Sequence, residues 1–221
     1  NQNLLQPGDF IYLGEGTYTD RLVPTKSGNS SGLITWMGDP TNTDTAWISV
    51  TEVAGQPTTY MSINMGARYG GSSVHHIRIK HIGTKDSRGG INIWPNCRVI
   101  YLDSLYIHKY SLGALGIIAP TAGASSPETT GIDSIFVRWC IMKSDVQVDR
   151  QSDVIVLRGV HNVFIYGNYL DQANLAESQH NDVIQAGYLI GDVYIWDNIM
   201  INRRDNHSQL TMYNMSLYGY K

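Results

Sequence analysis

Two stretches place chemically useful side chains at matching positions. In HNDVIQ (180–185) a His stands two residues ahead of an Asp. In DVIVLR (153–158) an Asp opens the segment and an Arg closes it. His180 carries an imidazole, the side chain whose ordinary pKa range suits proton transfer near neutrality. Asp153 and Asp182, with Asp149 just upstream, offer the carboxylate oxygens that Ca²⁺ prefers. Arg158 can bind or neutralise a carboxylate, and Lys109 in IHKYS (107–111) is a reserve cation. Trp94 and Tyr213 carry rings that can stack on sugars, while Asn92 and Gln185 carry amides that can bond hydroxyls. Each also has a structural use. Asp at a strand start commonly bonds its own backbone, a loop His is usually just exposed, Arg158 can serve a surface ion pair, and Trp94 beside Pro95 can cover a corner. Position in the fold must decide.

The elements that set those positions are repeats. HHIRIKHIGT (75–84), CRVIYLDSLYI (97–107), DSIFVRWCIM (133–142), HNVFIYGNYL (161–170) and GDVYIWDNIM (191–200) share one pattern at spacings of roughly 22 to 35 residues. Each holds an apolar pair two residues apart: Ile77/Ile79, Ile100/Leu102, Ile135/Val137, Val163/Ile165 and Val193/Ile195. Period 2 means strand. A short second strand follows a tight corner in most units, and a third follows each variable loop: GINIW, ALGII, DVIVLR, DVIQAG and QLTMY. Three short strands per repeat, with no amphipathic helical stretch between them, predict an all-β parallel β-helix, a solenoid of about seven to eight coils. An antiparallel sandwich also uses many short strands, but does not predict self-similarity at this period. In the predicted register Ile82, Leu105, Cys140, Asn168 and Asn198 share one inward column, where the two Asn form a short amide ladder.

With these repeats the chain resembles the right-handed parallel β-helix proteins of the pectate-lyase-like superfamily over nearly its whole length. LQPGDFIYLGEGTYTDRLVPTKSGNSSGLITWMGDP (5–40) is similar to the first coil of many such proteins. The reading is one β-helix domain over 1–221, with N-terminal coils in 1–74 and regular coils in 75–221, forming part of a longer protein. The resemblance implies an extracellular or cell-surface setting and a polysaccharide groove along the third strand of each repeat. Aligned on Ile91, Leu115, Ile155, Ile184 and Leu210, the outward rows hold Asn92 and Gln185, then Trp94, Arg158 and Tyr213.

HNDVIQ is similar to the Asn-Thr-Asp-Gly-Ile-Asp stretch of polygalacturonases at Asn181, Asp182 and Ile184. Gln185 replaces the second acid that paired-carboxylate hydrolysis uses, which disfavours a glycosidase or epimerase. A lyase fits better: β-elimination from a uronic acid takes a base for the C5 proton, a cation for the enolate and an acid for the leaving oxygen. The expected catalytic set is His180, Asp182, Arg158 and Lys109. Asn92, Trp94, Gln185 and Tyr213 are expected to bind substrate, and Asp149, Asp153 and Asp182 to hold Ca²⁺. The runner-up is a non-catalytic fibre, adhesin or tailspike body.

Bulk properties narrow the partners. Only 16% of residues are charged and the net charge is −3, so no basic stripe marks a nucleic-acid partner. No apolar run reaches the ~18 residues of a membrane span, and no signal-peptide pattern opens the chain. The register puts Cys97 and Cys140 on different sides of the rod, which disfavours a disulfide between them. Finally, Tyr101, Phe136, Phe164 and Tyr194 form an outward row beside Tyr166 and Trp196. A stacked aromatic row asks for cover by a neighbouring chain or second copy, by a segment beyond this fragment or by a loop such as 119–131, or for use as a sugar platform.

Overall fold

The structure is a computed structural model that describes residues 2–39, 46–50, 61–66, 71–119, 131–144, 153–173, 181–188, 191–203 and 210–213. The chain winds as a parallel β-helix. Its described strands form three sheets of seven, seven and six strands, and all strand pairs within them are parallel. The first sheet contains His75–Lys80, Arg98–Asp103, Asp133–Arg138, His161–Tyr166 and Val193–Trp196. After a tight corner each coil enters the second sheet, as in Tyr106–His108 and Tyr169–Gln172. A further turn leads to the third, built from Met61–Met65, Ser87–Ile93, Tyr110–Ile118, Asp153–Arg158, Ile184–Gly187 and Leu210–Tyr213.

The alternation explains the burial. In Asp133–Arg138, Ile135 and Val137 are sealed while Phe136 and Arg138 face outward. The expected register holds: Ile77, Ile100, Ile135, Val163 and Val193 pair rung by rung. So do Ile63, Ile91, Leu115, Ile155, Ile184 and Leu210 in the third sheet. Burying each such side chain is worth roughly 1.5–3 kcal/mol, so the interior files carry the fold.

The corner between the first and second sheets turns in two residues, and its geometry is strained. His81, Ser104, Trp139, Gly167 and Asp197 occupy equivalent places, all with left-handed φ between 51° and 66°. Gly167 is the only one free of the side-chain penalty, and a Cβ there would meet the Trp139 ring at 2.8 Å. Asn168 and Asn198 hold the bend. Asn168 Oδ1 accepts the Cys140 N–H at 2.9 Å, and its Nδ2 donates to Val137 O at 3.0 Å and Asn198 Oδ1 at 2.8 Å. Asn198 Nδ2 in turn donates to Ile165 O at 2.8 Å. Asn168→Ala takes the side-chain partner from the Cys140 N–H and the Val137 carbonyl in a nearly sealed site, so its expected cost is about 2–4 kcal/mol. Asn198→Ala, on a more open rung, should cost about 1 kcal/mol. Urea melts of both variants check the order, and equal losses would refute the ladder's role.

Both cysteines are free and buried. Burial pushes the Cys97 thiol up to about 11 and the Cys140 thiol up to about 12. Because the thiolate is the reactive form, neither thiol should react with a disulfide reagent at pH 8 until the protein unfolds, when both should. Rapid labelling of the native protein would contradict this packing.

Candidate functional site

The outer face of the third sheet carries four of the expected site residues, Asn92, Trp94, Arg158 and Gln185. Asn64, Asn92, Gly116, Val156, Gln185 and Thr211 stand in register along it. A cleft of about 240 Å³ opens there, walled by Arg88, Asn92, Trp94, Gly116, Ile118 and Val156. Gly116 keeps it open, since a Cβ at that point would strike Asn92 Oδ1. Trp94 is a wall rather than a platform. It is 5% exposed, and its indole N–H donates to Asn64 Oδ1 at 2.8 Å. Asn92 is 4% exposed, leaving one edge of its amide toward the cleft.

Arg158 ends its strand half-buried, with Nη2 donating to Gln185 Oε1 at 3.0 Å one coil on. That bond aims the guanidinium along the sheet and uses the Gln185 acceptor, so Gln185 serves as a positioning group. Lys109 lies at the other edge, in a left-handed corner (φ 52°) just before its strand. It is half exposed, 3.8 Å from Asp86. Lys109 and Arg158 are therefore separated by most of a strand, roughly 25 Å at 3.3 Å per residue. The structure does not bring them to one sugar unit. Arg88 is the cation that sequence reasoning missed. The sequence reading started that strand at Gly90, whereas it begins at Ser87 and brings Arg88 into the cleft wall.

The acidic set is placed differently from expectation. Asp182 is fully buried and Asp153 is 3% exposed. Asp153 Oδ1 accepts the Asp182 N–H at 2.9 Å, and Asp182 O accepts the Val154 N–H at 3.1 Å. Asp153 thus uses its carboxylate to hold the backbone of the next coil at the strand entrance. Ca²⁺ takes six to eight oxygens with room for water, and these two sealed carboxylates do not fit it by themselves. His180 and Asp149 lie outside the described residues, as does the side chain of Tyr213. Among the described residues no group of three or more His, Cys, Asp or Glu could hold a metal ion.

The outward aromatic row is real, and its geometry limits its use. Tyr101, Phe136, Phe164 and Tyr194 stack with centroids 4.6, 4.8 and 4.9 Å apart and planes within 8° of parallel. Tyr166 and Trp196 stack alongside at 4.3 Å. Rings piled along the axis spend their faces on one another and show solvent their edges. Sugar stacking needs a free face, so the row acts as an external brace across coils. Below it lies a charged clasp. Asp103, 4% exposed, accepts two bonds from Arg138 at 2.7 and 2.6 Å and lies 3.2 Å from Arg78. Both guanidinium groups sit 5.2 Å from the Tyr101 ring centre. The bonds to Asp103 raise the Arg138 pKa above its ordinary value, so it stays charged throughout the working range.

The fold is shared with two solved structures. An alginate lyase from Paenibacillus sp. str. FPU-7 superposes with a TM-score of 0.50 at 13% identity, over 89% of this chain and 70% of that one. A GH136 lacto-N-biosidase from Eubacterium ramulus does so with a TM-score of 0.53 at 12% identity. The match covers 95% of this chain and 50% of that enzyme, so this chain spans about half its length. No protein-family model and no curated protein matches. At such identities the likeness establishes the fold alone.

Proposed function

We propose that this chain is a carbohydrate-active protein that binds an acidic polysaccharide along the outer face of its third sheet and cleaves it by β-elimination. The observation carrying this reading is the cleft on that sheet, lined by Arg88, together with cations at the sheet's two edges, Lys109 where a strand begins and Arg158 where one ends. Cations spaced this way suit a polymer bearing a carboxylate on successive units. The kinship of fold with two glycan-cleaving enzymes supports a sugar substrate and leaves the reaction open.

The chemistry is assigned to the edge where strands begin. Lys109 and Arg88 sit on neighbouring coils there, Lys109 beside Asp86 and Arg88 two residues after it. In this assignment Arg88 neutralises the uronate carboxylate, which makes the C5 proton acid enough to transfer. Lys109 removes that proton. The electron pair forms the C4–C5 double bond as the C4–O bond breaks, and the leaving oxygen takes a proton from a solvated donor. Arg158, held by Gln185, binds the carboxylate of another unit. Secretion to the cell exterior accords with such a substrate.

A panel of alginate, pectin and glycosaminoglycans, with and without Ca²⁺, tests the reading through ultraviolet absorbance of the unsaturated uronate. Activity on at least one acidic glycan is the expected result. Arg158→Ala should raise KM roughly 10- to 100-fold with little change in kcat, the loss of one charge-assisted bond. A second reading, a non-catalytic fibre, adhesin or tailspike rod, draws on the sealed Asp153 and Asp182 and on the aromatic brace. No cleavage of any glycan by the full-length protein decides for the rod.

A further inference from the structure

A second cleft, of about 510 Å³, lies away from the third sheet's outer face, at the corner where coils enter the first sheet. Its wall is written by the repeat. His75, Arg98, Asp133 and His161 are the opening residues of four successive first-sheet strands and pair in register, one per coil. The residues after them, His76, Val99, Ser134 and Asn162, all adopt left-handed φ between 46° and 57°. That shared kink turns the column outward. Neighbouring rungs are about 4.8 Å apart, so four polar side chains cover a span comparable to one or two sugar rings.

These groups do not satisfy one another as a purely structural corner would. Arg98 and Asp133 carry opposite charges on adjacent rungs, yet no ion pair joins them. The Arg98 guanidinium makes no side-chain hydrogen bond or ion pair among the described residues. Asp133 Oδ1 instead accepts from Asn162 Nδ2 at 2.8 Å, leaving its other oxygen available. His161 lines the cleft with its Nε2 shielded from solvent and unbonded, against the tight packing of Gly191. His75 and His76 hold their Nδ1 atoms 3.0 Å apart, so one ring donates and the other accepts. Burial, then His75 and Arg98, lower the His76 pKa from its ordinary value. Arg98 is exposed and Asp133 half-buried, so both can be reached from the cleft, and their opposite charges on adjacent rungs without an ion pair point to a ligand between them.

We propose that this corner cleft is a separate binding site for a sugar acid, a ligand with one carboxylate and adjacent hydroxyls. Arg98 binds the carboxylate in its planar fork. Asp133, oriented by Asn162, accepts from the hydroxyls, and the imidazoles supply the remaining donors and acceptors. One cation beside one anion suits a monoanion with hydroxyl donors better than a dianionic phosphate, which Asp133 repels. The site stands whether or not the third sheet catalyses elimination.

Titration of the full chain with glucuronate, glucose and acetate, followed by the imidazole NMR signals of His75 and His161, tests it. Saturable glucuronate shifts are expected, with glucose and acetate each at least tenfold weaker. Arg98→Gln should weaken glucuronate at least tenfold, while Lys143→Gln, in the second sheet, should leave it unchanged. Melting curves establish that both variants fold. Absence of saturable shifts, unaltered binding by Arg98→Gln, or acetate binding as well as glucuronate would each overturn the proposal.

Discussion

Lys109→Gln should lower kcat by about 10²- to 10⁴-fold while leaving KM within a few-fold, the signature of losing a general base. The side chain is half exposed and its pairing with Asp86 at 3.8 Å is a surface one of small worth, so thermal melts of wild type and variant should agree closely. The contrast with Arg158→Ala, which should act on KM, separates chemistry from binding. If Lys109→Gln turns over normally while Arg158→Ala is impaired, the polymer binds where proposed and the base lies elsewhere, with His180 next to be tested. If neither matters to an active protein, the third-sheet site is wrong.

Asp103→Ala should destabilise the solenoid by about 3–5 kcal/mol, the largest stability loss expected from a single outward-facing side chain. The carboxylate is nearly sealed and receives both arms of Arg138 with Arg78 close by. Removing it strands Arg138, whose side chain is only 16% exposed, against the aromatic row. The double variant Asp103→Leu with Arg138→Met should recover at least half the loss, because it removes the stranded charge along with its partner. A single variant that melts with wild type would show that the clasp is dispensable and that the stacked rings brace the coils unaided.

Much of the fold was legible because a solenoid makes tertiary neighbours out of sequence repeats. The apolar pairs at period 2 identify the inward files, and the recurrence of Asn at 168 and 198 identifies the corner ladder, down to which amide faces which. The outward ring stack followed from the same register. The site was less legible. Arg88 was passed over because a strand beginning Ser-Arg-Gly-Gly has no apolar alternation to announce it. Asp153 and Asp182 were expected to face the groove because composition does not tell an open carboxylate from one sealed between coils.

The column His75, Arg98, Asp133, His161 was in plain view as the first residues of aligned repeats. Its meaning still depended on the left-handed kink beside each one, which turns four strand starts into the wall of a cleft.

Taken alone, the amino-acid order determined the β-helix, its three-strand coil, the interior files and the Asn ladder, since these need only periodicity and stacking. Tertiary structure decided which polar side chains are sealed and which are open. It also showed that Lys109 and Arg158 stand at opposite edges of one sheet, and that aromatic faces are consumed by their own neighbours. The reason is physical: alternation specifies the side of a strand, whereas burial, separation and ring orientation depend on the corners between strands, where φ is set by contacts with the coils above and below.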